Sequence, residues 1–466
     1  MNKTIRDFST NPPRGMRDFL PNDVHKRRYA MDIIRKVYES HGFEPLETPS
    51  LENLSVLSGK YGEEGDRLLF KVLKRGEKLE SALTEYKSAD AGSETIFKPG
   101  GSLADLGLRY DLTVPLARVI ADNRGKIPRI FKRYQIQPVW RADRPAKGRF
   151  REFYQCDVDI VGSRSPVVEI ELLEAASRAL ECLGFENFTI KLNHRKLLMG
   201  FLAIAGVEGR SALSAVIALD KLDKIGDTGV EKELKALGLD DDQLQRLRPL
   251  LEAPKGSEAL TFLEPFCSSN EEALNGIEET RKILDAARQG PAEKRIITDP
   301  CLARGLDYYT GSIFEIESPE LGVSLAGGGR YDNLIQMFSG EDLPACGISL
   351  GLERLLKVME EKNLFPQESA GPHVVVTCWS EDLLATTIET TRFFRAAGLR
   401  SDTYPDPGKL GRQLKYAEAR GTRFAVIIGP DEAEKKVMTL KDLLTGEQIT
   451  LTAENAAKHL KKTLSV

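Results

Sequence analysis

A chain of 466 residues is too long for one ordinary hydrophobic core, and its length predicts about three domains. Its 66 basic and 70 acidic residues leave a net charge of −4, with 41% hydrophobic and 29% charged side chains. That is a globular composition, and it excludes collagen-like, disulfide-scaffold and wholly disordered classes as well as a bulk nucleic-acid coat.

In chain order, residues 1–7 lack the apolar stretch of a secretory signal, and no apolar run approaches the roughly 18 residues of a membrane helix. The six cysteines are scattered, without a C-x-x-C pair or zinc spacing. Both features predict a cytoplasmic chain with reduced, mostly core thiols and no membrane partner. A first helix is predicted from Asp23 as N-cap, with Ala30, Ile33, Ile34, Val37 and Tyr38 at helical spacing and Gly42 closing it. Residues 43–48 read as a strand ended by Pro49. Pro45 and Pro49 cannot donate into a ladder, so this strand is expected at an edge or interface.

Residues 77–104 are polar and aperiodic and predict a mobile surface loop. Residues 196–290 are rich in Leu, Ala, Glu and Lys, with 12 basic against 17 acidic residues. They read as a helical module inserted into a host domain, which resumes near Arg295. The host continues with strands at 296–299 and 308–316, a Gly-rich turn, and a helix carrying Leu352, Leu355, Leu356 and Met359 on one stripe. After a Pro-containing linker, Val374, Val375 and Val376 start a strand–helix alternation that predicts a small α/β domain.

The chain has no G-x-x-x-x-G-K-[ST] loop, H-E-x-x-H or G-x-S-x-G motif, and its five histidines are dispersed. This argues against a histidine-based hydrolase. Arginine stands out instead. Residues 124–151 hold ten basic residues and one acidic, interleaved with aromatic and apolar ones, as two strands flanking the loop RADRPAKGRF at 141–150. Planar, permanently charged guanidinium forks on a sheet suit phosphate, so a polyphosphate or RNA site is expected here. Arg304 precedes a strand, and Arg354 lies in a first helical turn, pointing away from the apolar stripe.

Arg141-Ala-Asp143, its loop and RFREF at 149–153 resemble motif 2 of class II aminoacyl-tRNA synthetases. GLER at 351–354 resembles motif 3, and the helix and Pro-ended strand within 23–52 resemble motif 1, the dimer-forming element. RGLDYYTG at 304–311 resembles a signature of the histidyl-tRNA synthetase family, as do GMRDFLP at 15–21, LRYDLTVP at 108–115 and GGGRYDN at 327–333. Their joint occurrence in order is specific.

The resemblance implies an α+β fold: a six-stranded antiparallel sheet flanked by helices, with a helical insertion and a C-terminal α/β anticodon-binding domain. Residues 1–195 and 291–360 would form the catalytic domain, 196–290 the insertion, 361–371 a linker and 372–466 the anticodon-binding domain. It implies a homodimer that activates L-histidine with ATP and Mg²⁺ and transfers it to the 3′-terminal adenosine of tRNA(His). ATP would meet Arg141, Asp143, Arg149, Phe153 and Arg354, with Arg304 on the α-phosphate opposite Arg141. Asp111, Thr113 and Gln155 would surround the substrate α-amino group. Asp159, Tyr309 and Tyr331 would face the imidazole, with Asp157 competing for the place of Asp159 and one of Tyr308 and Tyr309 packing in the core. Many family members carry Glu where Asp111 and Asp159 stand. Arg144 and Lys147 would reach the tRNA acceptor end. Residues 392–423, net +5 and including Arg412 and Arg423, would form an RNA face. The rival expectation is a catalytically silent relative, such as a regulatory subunit of ATP phosphoribosyltransferase.

Overall fold

The computed structural model describes residues 9–88, 103–145, 148–288, 290–303, 308–318, 322–366 and 371–464. The first helix runs from Pro21 to Ser40. It begins two residues before the predicted Asp23 because Pro21, with no N–H to satisfy, suits the first helical position. Asp23 caps from inside the first turn, accepting from the Leu20 N–H at 3.3 Å. Then come β1 (Glu44–Pro45), β2 (Leu51–Asn53), β3 (Lys71–Leu73), a helix at Glu77–Ser88 and β4 (Ala104–Leu108). The helix corrects the loop expected from residue 77; residues 89–102 lie outside the described residues. Strands β2, β4 and β3 form a small antiparallel sheet.

After the helix Thr113–Asp122 follow β5 (Phe131–Trp140), β6 (Glu152–Val161), the helix Val167–Cys182 and β7 (Thr189–His194). Helices then fill the stretch from Arg195–Ile204 to Glu271–Ala287, as composition predicts. The sheet resumes with β8 (Ile296–Thr298), β9 (Ser312–Ser318), β10 (Val323–Arg330) and β11 (Ala345–Gly351), and the helix Leu352–Glu361 ends this part. The glycines expected in a turn, Gly327 to Gly329, lie instead inside β10.

The main sheet has eight strands in the order β1-β5-β6-β11-β10-β9-β7-β8. The six inner strands are antiparallel, as expected. The correction is one parallel strand added at each edge, β1 on β5 and β8 on β7. Strand β1 contains Pro45 and sits at the edge, where a missing N–H costs no ladder bond. One face of β5 and β6 is apolar: Tyr134, Cys156, Val158 and Ile160 are buried, and the Tyr38 hydroxyl of the first helix donates to the Cys156 carbonyl at 3.2 Å. The other face is polar and holds the candidate site.

One hydrophobic cluster joins Tyr110, Val114, Leu302 and Tyr331 near the sheet to Leu198, Phe201, Val216, Leu263 and Ile277 of the helical stretch. That stretch therefore shares its core with the sheet, although its exposed side is acidic. Among the described residues none of the six cysteines forms a disulfide, and five of them are buried.

Two compact units emerge, one comprising residues 1–19 and 26–364, the other 20–25 and 365–466. The second holds β12 (Val374–Val376), β13 (Ser401–Thr403), β14 (Phe424–Ile427), β15 (Met438–Asp442) and β16 (Gln448–Leu451). They form a sheet in the order β13-β12-β14-β15-β16, with the first three parallel. This matches the expected α/β domain, built on the fully buried Val374, Val375 and Val376. Among the described residues, no single helix is long and apolar enough to cross a membrane.

Candidate active site

Strand alternation puts every second residue of β5 and β6 on one face. Cross-strand register sets Arg133 opposite Asp159, Gln135 opposite Asp157, and Gln137 opposite Gln155. On the next strand, Gly347 lies beside Asp159, Ser349 beside Asp157, and Gly351 beside Gln155. A polar row thus runs across the middle of the sheet, roofed on the β11 and β10 side by residues that are mostly glycine.

Arg133 is fully buried, its Nη2 2.8 Å from Asp159 Oδ2 and 3.9 Å from Asp157 Oδ2. Its Nη1 donates to Gln135 Oε1 at 3.0 Å. Tyr331 donates to the other oxygen of Asp159 at 2.5 Å. Burial pushes the carboxyls of Asp157 and Asp159 up, against the pull of the Arg133 cation. Gly347 makes room for this arrangement: a Cβ there would lie 1.8 Å from Asp159 Oδ1.

A second polar centre forms at Asp111, just before the helix Thr113–Asp122. Its carboxylate accepts from the Val114 N–H at 3.1 Å, the Tyr61 hydroxyl at 3.1 Å and the Tyr308 hydroxyl at 3.3 Å. Burial raises its carboxyl pKa, and these donors and the charge of Arg141 oppose the rise. The segment is fixed by Arg109, which is 1% exposed. Its guanidinium donates to Thr48 O, Gln137 Oε1 and Pro138 O at 2.5, 3.0 and 2.9 Å. Tyr308 and Tyr309 precede β9 and do not lie in it. Both are buried, their ring centroids 4.9 Å apart, and Tyr308 sits 6.0 Å from Tyr331. Both tyrosines belong to the buried cluster, and Tyr308, expected to serve only packing, also reaches Asp111 through its hydroxyl.

The arginine end is built on the β5–β6 hairpin. Arg141 Nε donates to Tyr110 O at 3.2 Å, and its guanidinium carbon lies 4.3 Å from the Tyr110 ring centroid and 5.2 Å from that of Phe153. Among the described residues, its two terminal nitrogens meet no acceptor. Asp143 accepts from Arg149 Nη2 at 2.9 Å, while its carbonyl takes Arg151 Nε at 2.9 Å. Arg354 is exposed in the first turn of its helix, beside Gly351, with Nη1 2.8 Å from Ser324 O. Its neighbour Glu353 turns inward to accept from Arg27 at 2.9 Å and from the Tyr154 N–H at 3.0 Å. The first helix, β6 and the helix Leu352–Glu361 are thereby tied at one carboxylate.

The structure therefore gathers Asp111, Thr113, Arg141, Phe153, Gln155, Asp159, Tyr309 and Tyr331 around one polar sheet face. Arg304 and Lys147 lie outside the described residues. The basic run is no single patch: Arg124 pairs with Glu341, Lys132 with Glu171, Arg133 with Asp159 and Arg149 with Asp143. Arg144 is exposed. In the second unit, Arg412 is exposed, whereas Arg423 is held by Asp442 through two bonds of 3.0 and 2.9 Å. Sequence reasoning missed Arg133, Tyr61 and Ser349. Only Arg133 had a readable signal, as the first of an alternating polar row with Gln135 and Gln137.

Residues 75–355 match the family model described as histidyl-tRNA synthetase, and residues 373–463 match the anticodon binding domain. The histidine–tRNA ligase of Christiangramia forsetii is 42% identical over 455 residues, covering 96% of this chain and 98% of that protein. That of Porphyromonas gingivalis is 43% identical over 449 residues, covering 95% and 97%. The crystal structure of histidyl-tRNA synthetase from Nostoc sp. PCC 7120 superposes with a TM-score of 0.79 at 31% identity, over 98% of this chain and 100% of that one.

Proposed function

The chain belongs to the histidyl-tRNA synthetase family, and on that premise we propose that it is a histidine–tRNA ligase working at the polar face of its main sheet. It activates L-histidine with ATP to histidyl-adenylate and pyrophosphate, then passes the histidyl group to the 3′-terminal adenosine of tRNA(His). It works in the cytoplasm as a homodimer joined through the first helix and β1.

The observation that carries the reading is Arg141. Two aromatic rings and a backbone carbonyl hold its guanidinium, and its terminal nitrogens are left for a ligand. Attack of the histidine carboxylate on the α-phosphorus spreads negative charge over the non-bridging oxygens. A preorganised cation stabilises that charge without a protein nucleophile. In this reading Arg141 and Arg304 take the α-phosphate, Arg354 the γ-phosphate, and Phe153 the adenine, with Arg149 and Asp143 beside it. Asp111, Thr113 and Gln155 hold the α-amino group. Asp159 and Tyr331, already joined to each other, meet the imidazole with Tyr309. Such a pairing rejects an apolar competitor, which would leave buried polar groups unsatisfied.

No group of three or more metal-ligating side chains occurs among the described residues, so they offer Mg²⁺ no cage of their own. Mg²⁺ enters with ATP as part of that substrate. Arg144, Lys147 and Arg412 contact tRNA, and Arg423 shapes the RNA face through its Asp442 pair.

The test is amino-acid-dependent ATP–pyrophosphate exchange, with each of the twenty amino acids alone and no tRNA. Exchange driven by histidine only is expected. Exchange with another amino acid overturns the pocket, and none at all overturns the enzyme in favour of a silent relative. Gly347→Ala probes the pocket wall. The added methyl collides with Asp159, so histidine affinity should fall by at least tenfold, with about 1–3 kcal/mol lost in stability. Calorimetric titration and thermal melting would measure both.

A further inference from the structure

Resting on the reading of this face as a histidine pocket, we propose that Asp157 is a further substrate-binding residue. Its open carboxylate oxygen takes the α-ammonium alongside Asp111 and Gln155. Asp157 is 3% exposed, and its Oδ1 has no hydrogen-bond partner among the described residues. The next acceptor in the row, Gln155 Oε1, is also unpartnered. Ser349 stands beside both side chains: Gln155 Nε2 donates to Ser349 Oγ at 2.9 Å, and Ser349 is the ladder partner of Asp157. These two acceptors receive no hydrogen bond among the described residues; Asp159 Oδ2 receives none either, but has the Arg133 cation 2.8 Å away.

Service to Arg133 does not account for Asp157. The guanidinium lies 2.8 Å from Asp159 and 3.9 Å from Asp157, with Nη1 engaged by Gln135. Asp157 receives no hydrogen bond from it. Asp111 is close enough to add its own negative field at Asp157. The row therefore carries more buried negative charge than Arg133 offsets, an arrangement completed by a cation with several donors. An amino acid brings such a cation as its ammonium group, with three N–H donors.

The test is the affinity of wild type and Asp157→Asn for three ligands, measured by calorimetry on the full chain. L-Histidine has both ammonium and carboxylate, histidinol keeps the ammonium alone, and 3-(imidazol-4-yl)propionate keeps the carboxylate alone. The variant should bind histidine and histidinol roughly tenfold or more weakly, as expected for loss of a charge-assisted bond. Its affinity for the des-amino ligand should stay within about twofold. Unchanged histidine affinity, or an equal loss for all three ligands, overturns the proposal. The ligand-free variant should also melt no lower than wild type, because an uncompensated buried charge has been removed. A lower melting temperature marks a purely structural carboxylate and likewise overturns it. Failure of the wild type to bind histidine overturns the pocket reading instead, a distinct result.

Discussion

Arg141→Ala should lower histidine-dependent ATP–pyrophosphate exchange by roughly 10²–10³-fold while changing histidine affinity little. Loss of one preorganised donor at developing charge has about that effect on kcat. The sparing of histidine affinity follows from position: Arg141 contacts Tyr110 and Phe153, not the Asp159–Tyr331 pair. Arg141→Lys should recover little of the rate. An ammonium cannot both anchor on the Tyr110 carbonyl and present two coplanar donors between two rings. Single-turnover adenylate formation, beside equilibrium histidine titration, checks the split. A matching fall in rate and histidine affinity would move Arg141 out of the phosphate site.

Arg133→Met should destabilise the protein by about 3–5 kcal/mol, measured by denaturant unfolding, the range for removing one partner of a buried ion pair. Arg133 is fully buried, pairs with Asp159 at 2.8 Å and supplies a weaker field at Asp157, 3.9 Å away. The pH dependence gives this prediction a sign. Burial already raises both carboxyls above their usual range while Arg133 pulls them down, so deleting Arg133 raises them further. A carboxyl raised in the folded state destabilises the fold when charged, and stability returns as pH falls through its folded pKa. Of the other groups facing the pair, Asp111 adds to the rise at Asp157, whereas the Tyr331 hydrogen bond opposes the rise at Asp159. The deficit of Arg133→Met relative to wild type should therefore shrink between pH 8 and pH 5. A deficit independent of pH would mean that lost packing, not orphaned charge, is its cause.

Why some of this was legible in the sequence and some was not comes down to distance along the chain. Pro45 and Pro49 placed β1 at an edge because a missing N–H is a local fact. Arg141, Asp143 and Phe153 stood in one hairpin with readable spacing, and the six antiparallel strands followed from the resemblance. Arg133 went unseen because its partner Asp159 is set by register with β6, and three neighbouring basic residues shared its stretch. Tyr61 is joined to Asp111 only through the fold. The helix Glu77–Ser88 had a signal in Leu79, Ala82 and Leu83, at i, i+3 and i+4, which the polar residues after it diluted. Gly327 to Gly329 looked like a turn because glycine is rare in strands. Here a Cβ at Gly328 or Gly329 would collide with the backbone of the neighbouring strands, at Gly347 O and Ser312 O.

Strand β6 carries Gln155, Asp157 and Asp159, yet its partner β11 arrives much later in synthesis, with Val161 pairing with Ala345. A ribosome that has finished β6 must make the helical stretch and four more strands, β7 to β10, before Ser349 exists. At roughly 5–20 residues per second, that wait is on the order of 10–40 s. Through that interval the buried carboxylates of the nascent chain have no wall on one side. In the proposed reading, free histidine would therefore stabilise the chain only after β11 has paired with β6, and the early folding would proceed without it.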